Sequence, residues 1–188
     1  MTPVIETARL VLRRLTSEDA PFMLDLLNQP SFIQNIGDRG ARTLEQAAAY
    51  IENVPVASYA RYGFGLYLVV VRDGGKAAGI CGLVKRDGLE DVDLGFAFLP
   101  RFWKKGYAVE SALAVMRYAA TVVGLTRLVA ITLPANEPSI RVLEKLGFMF
   151  ERMVRLAPDA GELKLFACRV EAPRAAAAAR TVPTPTGG

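Results

Sequence analysis

The sequence predicts an α+β domain built on a mixed, mostly antiparallel sheet. Three observations carry that prediction. Strand and helix patterns alternate along the chain, three strand patterns follow one another through Asp-Gly turns, and no glycine-rich dinucleotide fingerprint opens any helix, which excludes a Rossmann alternation. With 188 residues, 52% hydrophobic and 22% charged, the chain is long enough to bury about 70% of its unfolded surface as one domain.

Taken in order, residues 9–14 alternate apolar and polar like a first strand. Thr16 and Asp19 then have N-cap spacing for a helix to about residue 27, and Thr43 with Gln46 repeats the capping-box spacing before an alanine-rich helix to about residue 58. Residues 66–72 and 77–84 flank the turn Asp73-Gly74-Gly75 and read as a hairpin; the turn at Asp87-Gly88 returns the chain into a fourth strand, 92–99. A long helix over 105–123 stops at Gly124, the residue type that ends helices in left-handed geometry. Strand 127–133, helix 137–146 and a closing hairpin of 149–154 with 163–170 complete the order β-αα-β-β-β-α-β-α-β-β, with seven strands. From residue 172 the composition turns to proline, a run of alanines and glycine, so 1–171 is expected to be the domain and 172–188 a disordered tail.

Composition narrows the chemistry. There is no histidine, which removes Ser-His-Asp and Cys-His nucleophile pairs and histidine-ligated zinc. Cys81 and Cys168 stand far apart in apolar stretches and read as core thiols, so no metal site is expected. Glu6 and Arg9 interrupt the start before any signal-peptide core develops, and no apolar run reaches the roughly 20 residues of a membrane span, so a cytoplasmic protein with no membrane partner is expected. The formal charge of +4 includes Arg174 and Arg180 of the tail and is too small to point to nucleic acid.

The stretch Leu99-Pro100-Arg101-Phe102-Trp103-Lys104-Lys105-Gly106-Tyr107-Ala108-Val109-Glu110 joins the fourth strand to the long helix. Two lysines at a helix N-terminus oppose its dipole, by about 0.3–1 kcal/mol each. The stretch is therefore either a solvated charged turn or a place where an anion sits on free backbone N–H groups, with Gly106 letting it approach. Asn136 and Ser139 open the next helix and fit ordinary capping or ligand contact.

These residues carry a resemblance. Pro100, Trp103, Gly106, Tyr107, Ala108 and Glu110 resemble the pyrophosphate-loop motif of the GNAT N-acetyltransferase superfamily, in its ribosomal-protein N-acetyltransferase-like branch. Asn136-Glu137-Pro138-Ser139 followed by Val142-Leu143-Glu144-Lys145-Leu146-Gly147-Phe148 resembles the family's second motif, and the derived element order is also the family's. The resemblance spans roughly residues 6–170 and implies a GNAT fold with the fourth and fifth strands splayed apart. It further implies acetyl-CoA as cosubstrate, with the Phe98 backbone on the pantetheine arm, the Phe96 N–H aimed at the thioester carbonyl, and Trp103, Lys104, Lys105, Gly106, Tyr107, Ala108 and Val109 around the pyrophosphate. Asn136 is implied to contact pantetheine and Ser139 the region of the sulfur. Lys104 stands where the branch's motif carries glycine; the family's thiolate-protonating tyrosine is replaced by Leu143, which leaves Ser139 or water, and an acid used elsewhere on the fifth strand is replaced by Ile131.

Asp93 matches an acidic position of the branch and is the expected catalytic base, with Glu90, Asp91, Asp159, Glu162 and water as other candidates. The acceptor side is expected from the two-helix region, where residues 35–42 form a polar loop and Phe22, Phe32, Tyr59, Tyr62 and Phe64 form either rim or core. The function implied is acetyl transfer to a primary amine by direct attack in a ternary complex. The amine is a protein N-terminus or a small molecule; a sensor or scaffold that holds acyl-CoA without turnover is the alternative, and a homodimer is left open.

Overall fold

The computed structural model describes residues 2–158 and 160–171, so the expected tail at 172–188 and the candidate Asp159 lie outside the described residues. Eight strands form one sheet: β1 (Pro3–Glu6), β2 (Leu10–Arg13), β3 (Leu66–Val71), β4 (Ala77–Val84), β5 (Asp93–Phe98), β6 (Arg127–Thr132), β7 (Met149–Val154) and β8 (Leu163–Arg169). Their order across the sheet is β1-β2-β3-β4-β5-β6-β8-β7, and all neighbours run antiparallel except β5 and β6. The count corrects the seven expected. The added strand, β1, is four residues long, opens with a proline and lies on the sheet edge, where a missing N–H costs no ladder bond. So short a segment shows no period. The strands expected fourth and fifth are therefore β5 and β6.

Between β2 and β3 the chain forms four helices where two were expected: α1 (Ala20–Leu27), α2 (Pro30–Ile36), α3 (Leu44–Ile51) and α4 (Ala57–Tyr62). Pro30 stands in the first turn of α2, where its fixed φ suits the helix and its missing N–H is no loss. This helix buries Phe32 and takes Asn35 and Ile36 out of the expected loop, which begins at Gly37. The predicted capping box at Thr43 is present: Gln46 N donates to Thr43 Oγ1 at 3.3 Å and Thr43 N donates to Gln46 Oε1 at 3.2 Å. A π-helical turn, Glu52–Val56, joins α3 to α4 and contains Pro55, whose nitrogen cannot donate to the preceding turn.

Helices cover both faces of the sheet. On one, α1 and α3 pack Met23, Leu26 and Ile51 against Leu68 and Ile80; on the other, α5 (Tyr107–Tyr118) and α6 (Glu137–Lys145) pack Ala112, Val115 and Leu143 against Tyr67, Val69 and Leu128. Strand alternation sorts the side chains, so Tyr67, Val69 and Val71 of β3 face the second layer and Leu68 faces the first. Phe32, Tyr59 and Phe64 are core, whereas Tyr62 is 36% exposed. Of the two thiols Cys81 is fully buried, while Cys168 lies half-buried. No helix among the described residues is long and apolar enough to cross a membrane.

Candidate active site

The site forms where β5 and β6 part. Their pairing is confined to one register position, Asp93 opposite Val129, with Val129 N donating to the Val92 carbonyl at 3.0 Å. In a parallel ladder that continued, the next N–H of β6, that of Ile131, would donate to the β5 backbone. It donates instead to Asp93 Oδ1, at 3.3 Å. The other carboxylate oxygen of Asp93 takes Arg86 Nε at 2.5 Å. Asp93 thus stands in for a strand neighbour and bridges the two strands at their point of divergence.

The edge of β5 beyond that point is open. Leu99 N donates to the Ala78 carbonyl of β4 at 3.0 Å. Peptide groups alternate along an antiparallel strand, so Ala97 and Gly95 also face β4. The N–H and C=O of Phe96 and Phe98 consequently face the gap toward β6. Among the described residues one of these groups has a protein partner: the Phe98 carbonyl accepts the Trp103 indole N–H at 2.7 Å.

Past the strand, Pro100–Phe102 forms a tight turn in which Phe102 N donates to Leu99 O at 2.9 Å and Trp103 N to Pro100 O at 3.1 Å. Two left-handed residues follow, Lys104 at φ +59° and Gly106 at φ +80°. Lys104 is the one non-glycine residue with positive φ among those described. Its place is the one where the related motif carries glycine, so the backbone conformation persists without the residue that adopts it freely. The first helical bond is Glu110 N to Gly106 O, 3.0 Å. Among the described residues, no protein acceptor takes the N–H groups of residues 104–109. Six donors therefore stand at the positive end of α5, where free N–H groups and the helix dipole together suit phosphate.

A brace behind the loop was not legible in the sequence. Glu110 accepts Thr7 Oγ1 at 2.6 Å, Arg9 N at 3.0 Å and Arg9 Nε at 2.6 Å, while Arg9 Nη1 donates to the Lys105 carbonyl at 3.0 Å. Burial alone would raise the Glu110 carboxyl; the hydrogen bonds from Thr7 and Arg9 outweigh it and hold it below the ordinary glutamate range. Arg9 also lies 5.0 Å from the Tyr107 ring centroid. Through these contacts the segment between β1 and β2 fixes the first turn of α5, so Glu110 does more than offset a dipole.

The remaining candidates lie as follows. Asn136 Oδ1 accepts Ser139 N at 3.3 Å and caps α6, leaving the half-buried Ser139 hydroxyl without a protein partner among the described residues. Leu143 is 1% exposed and belongs to the core. Asp93 is also 1% exposed, and burial raises its carboxyl above the ordinary range despite Arg86 and Ile131. It does not present a free, solvated oxygen. Asp91 is engaged with Arg127 at 2.8 Å and Glu162 with Arg155 at 3.2 Å. A cavity of about 190 Å³ by Glu90, Asp91, Arg127 and Glu151, and another of about 520 Å³ by Gly124, Arg127 and Arg169, are away from the loop at 104–109. The candidate site is the opening between diverging strands rather than either of these hollows.

Residues 9–149 match the family described as acetyltransferase (GNAT) domain. The chain is 28% identical over 156 residues to the uncharacterized N-acetyltransferase YoaA of Bacillus subtilis (strain 168), covering 82% of this chain and 88% of that one. Among solved structures, the RimL ribosomal L7/L12 alpha-N-protein acetyltransferase in complex with coenzyme A matches with TM-score 0.78 at 18% identity, over 92% of this chain and 100% of that one. An acetyltransferase (GNAT family) from Bacillus anthracis matches with TM-score 0.73 at 23% identity, over 88% and 97%.

Proposed function

This chain belongs to the GNAT acetyltransferase family, and on that premise we propose that it transfers an acetyl group from acetyl-CoA to the α-amine of a protein or peptide N-terminus, in a ternary complex. The observation that carries the reading is the juxtaposition of six unpartnered backbone N–H groups at 104–109 with the open β5 edge at Phe96 and Phe98. The first set suits a pyrophosphate and the second an extended arm carrying amides, the two chemical features that acetyl-CoA combines. A structural neighbour named for α-N acetylation of ribosomal protein L7/L12 supports an N-terminal acceptor. The region 1–171 is proposed as the catalytic domain.

In this reading the acceptor nitrogen attacks the thioester carbonyl, forming the C–N bond while charge gathers on the carbonyl oxygen. The Phe96 N–H faces the gap and stabilises that oxygen; losing such a donor costs about 2.7–4 kcal/mol of barrier. The C–S bond then breaks, and the departing thiolate takes a proton from the Ser139 hydroxyl or from water. With a thiol pKa near 8.5 it needs only modest help. After attack the nitrogen loses one proton to water, and water restores the proton that Ser139 gives up, so the proton lost by nitrogen balances the one gained by sulfur; before attack the amine must already be neutral. An α-amine is already about 14% neutral at pH 7, a lysine side chain about 0.04%, so an α-amine acceptor suits a site whose central carboxylate is buried and ion-paired. Asp93 then acts as a positioning residue that keeps β6 away from the reacting edge. Lys104 and Lys105 add point charges beside the phosphates. Asn136 orients the first turn of α6 toward the arm.

The test is thiol release from acetyl-CoA in the presence of peptides with free N-termini, N-terminally blocked lysine peptides and polyamines. Turnover with free N-termini and none with blocked peptides is expected. Turnover confined to polyamines or lysine would overturn the acceptor, and tight acetyl-CoA binding without turnover of any amine would favour a sensor.

A further inference from the structure

We propose that Trp103 guards the pantetheine edge: in the free protein its indole N–H occupies the Phe98 carbonyl, and acetyl-CoA must displace it to lay an amide along β5. This inference deepens the acetyl-CoA reading and rests on it.

Because Leu99 N donates to Ala78 of β4, the Phe98 carbonyl in the same peptide plane points the opposite way, into the gap. An unpaired carbonyl on an open strand edge is a standing acceptor for any donor that can reach it. The turn at Pro100–Phe102 brings Trp103 back to within reach, and the indole N–H meets that carbonyl at 2.7 Å. The next residue, Lys104, turns left-handed and leads into the six free N–H groups. The ring therefore stands where the strand edge and the loop meet, which is the path an arm must take between thioester and pyrophosphate.

The indole is a donor only, whereas each amide of an extended arm both donates and accepts. Trp103 can thus replace the donor that an arm would offer Phe98, but it leaves the Phe96 and Phe98 N–H groups open. Binding exchanges one hydrogen bond for another at the Phe98 carbonyl and adds new ones beside it. The exchange consumes affinity, so removing the indole N–H should tighten binding by about 2- to 10-fold, the range one hydrogen bond to a neutral acceptor spans. The ring is 48% exposed, which gives it room to turn aside without disturbing the core.

The chain holds a single tryptophan, so its fluorescence reports this residue alone. The experiment titrates the wild type and Trp103→Phe with acetyl-CoA and with adenosine diphosphate 3′-phosphate, which keeps the phosphates and lacks the arm. Calorimetry gives affinities for both proteins, and wild-type emission reports the ring. Expected are a 2- to 10-fold tighter acetyl-CoA complex in Trp103→Phe and an unchanged affinity for the arm-less ligand. Wild-type emission should change with acetyl-CoA much more than with the arm-less ligand. Equal or weaker acetyl-CoA binding in the variant, with a wild type that binds normally, would overturn the guard while leaving the site reading intact. An equal loss for both ligands would instead make Trp103 a binding platform for the nucleotide half. A folded wild type that binds neither ligand would overturn the site reading and the guard together. Circular dichroism of the variant separates any of these from misfolding, and Trp103→Leu, which also lacks the N–H, must give the same pattern.

Discussion

Around residues 104–109 the groups offered to a ligand are backbone N–H donors, whereas the opening between β5 and β6 depends on one side chain, the carboxylate of Asp93. The loop side can therefore change its side chains and keep its donors, as lysine at position 104 in a left-handed conformation illustrates. The strand side has no such tolerance, because the ligand of the Ile131 N–H is a carboxylate that no neighbouring residue replaces. The difference separates what a site needs in conformation from what it needs in chemistry.

The contrast is broken most severely at Asp93. Asp93→Asn removes the charge that Arg86 pairs with inside the sheet. Because the Arg86 side chain is 30% exposed and can regain water, and burial already disfavours the Asp93 charge, the cost should fall below that of a fully buried broken pair, about 1–3 kcal/mol by urea denaturation. Catalytic efficiency should fall with it while the affinity for adenosine diphosphate 3′-phosphate stays put. A variant as stable as the wild type would show that the strands part for another reason.

Gly106→Val tests the loop side. Gly106 holds φ +80°, and an added Cβ would come within 3.3 Å of the Arg9 guanidinium. Affinity for acetyl-CoA should drop at least tenfold, about 1.4 kcal/mol, alongside a stability loss of about 1–2 kcal/mol from the left-handed backbone. Isothermal titration with a parallel thermal melt checks both.

The brace adds a pH dependence. The Glu110 carboxyl is held below its unfolded value near 4.3, so its stabilisation is fully present above that value and is lost as pH falls through the lowered one. Glu110→Gln should cost about 1 kcal/mol at pH 7, and this wild-type-minus-variant difference in denaturation should shrink steadily as pH falls below the unfolded value. A difference that does not shrink on acidification would mean that the charge is irrelevant. The smallest effect is expected at Lys104. Lys104→Gly relieves the positive φ and should gain about 0.5–1 kcal/mol of stability, with acetyl-CoA affinity falling less than threefold because the N–H remains.

Much of this was legible in the sequence, for identifiable reasons. The hairpin at 73–75, the capping box at Thr43 and the helix stop at Gly124 each rest on a local rule, and each is present. The left-handed Gly106 and the helix start at Tyr107 were legible in the same way, because both are local. What escaped was short or long-range. β1 is too brief to show a period, and α2 hides behind a proline that usually ends helices but here begins one. Arg9 and Glu110 are separated by a hundred residues, and no spacing announces their contact. Asp93 was visible as an acid but not as the acceptor of the Ile131 N–H, which arrives from another strand. The lysine standing at a glycine position was the one available hint of a left-handed residue.

The account stands on backbone groups, so the most direct measurement observes them: an amide NMR titration of the full chain with acetyl-CoA. The prediction is one saturable site per chain whose largest shifts fall on the N–H groups of residues 104–109, Phe96 and Phe98. Saturable binding with those amides unmoved, or no binding by the folded protein, would contradict it.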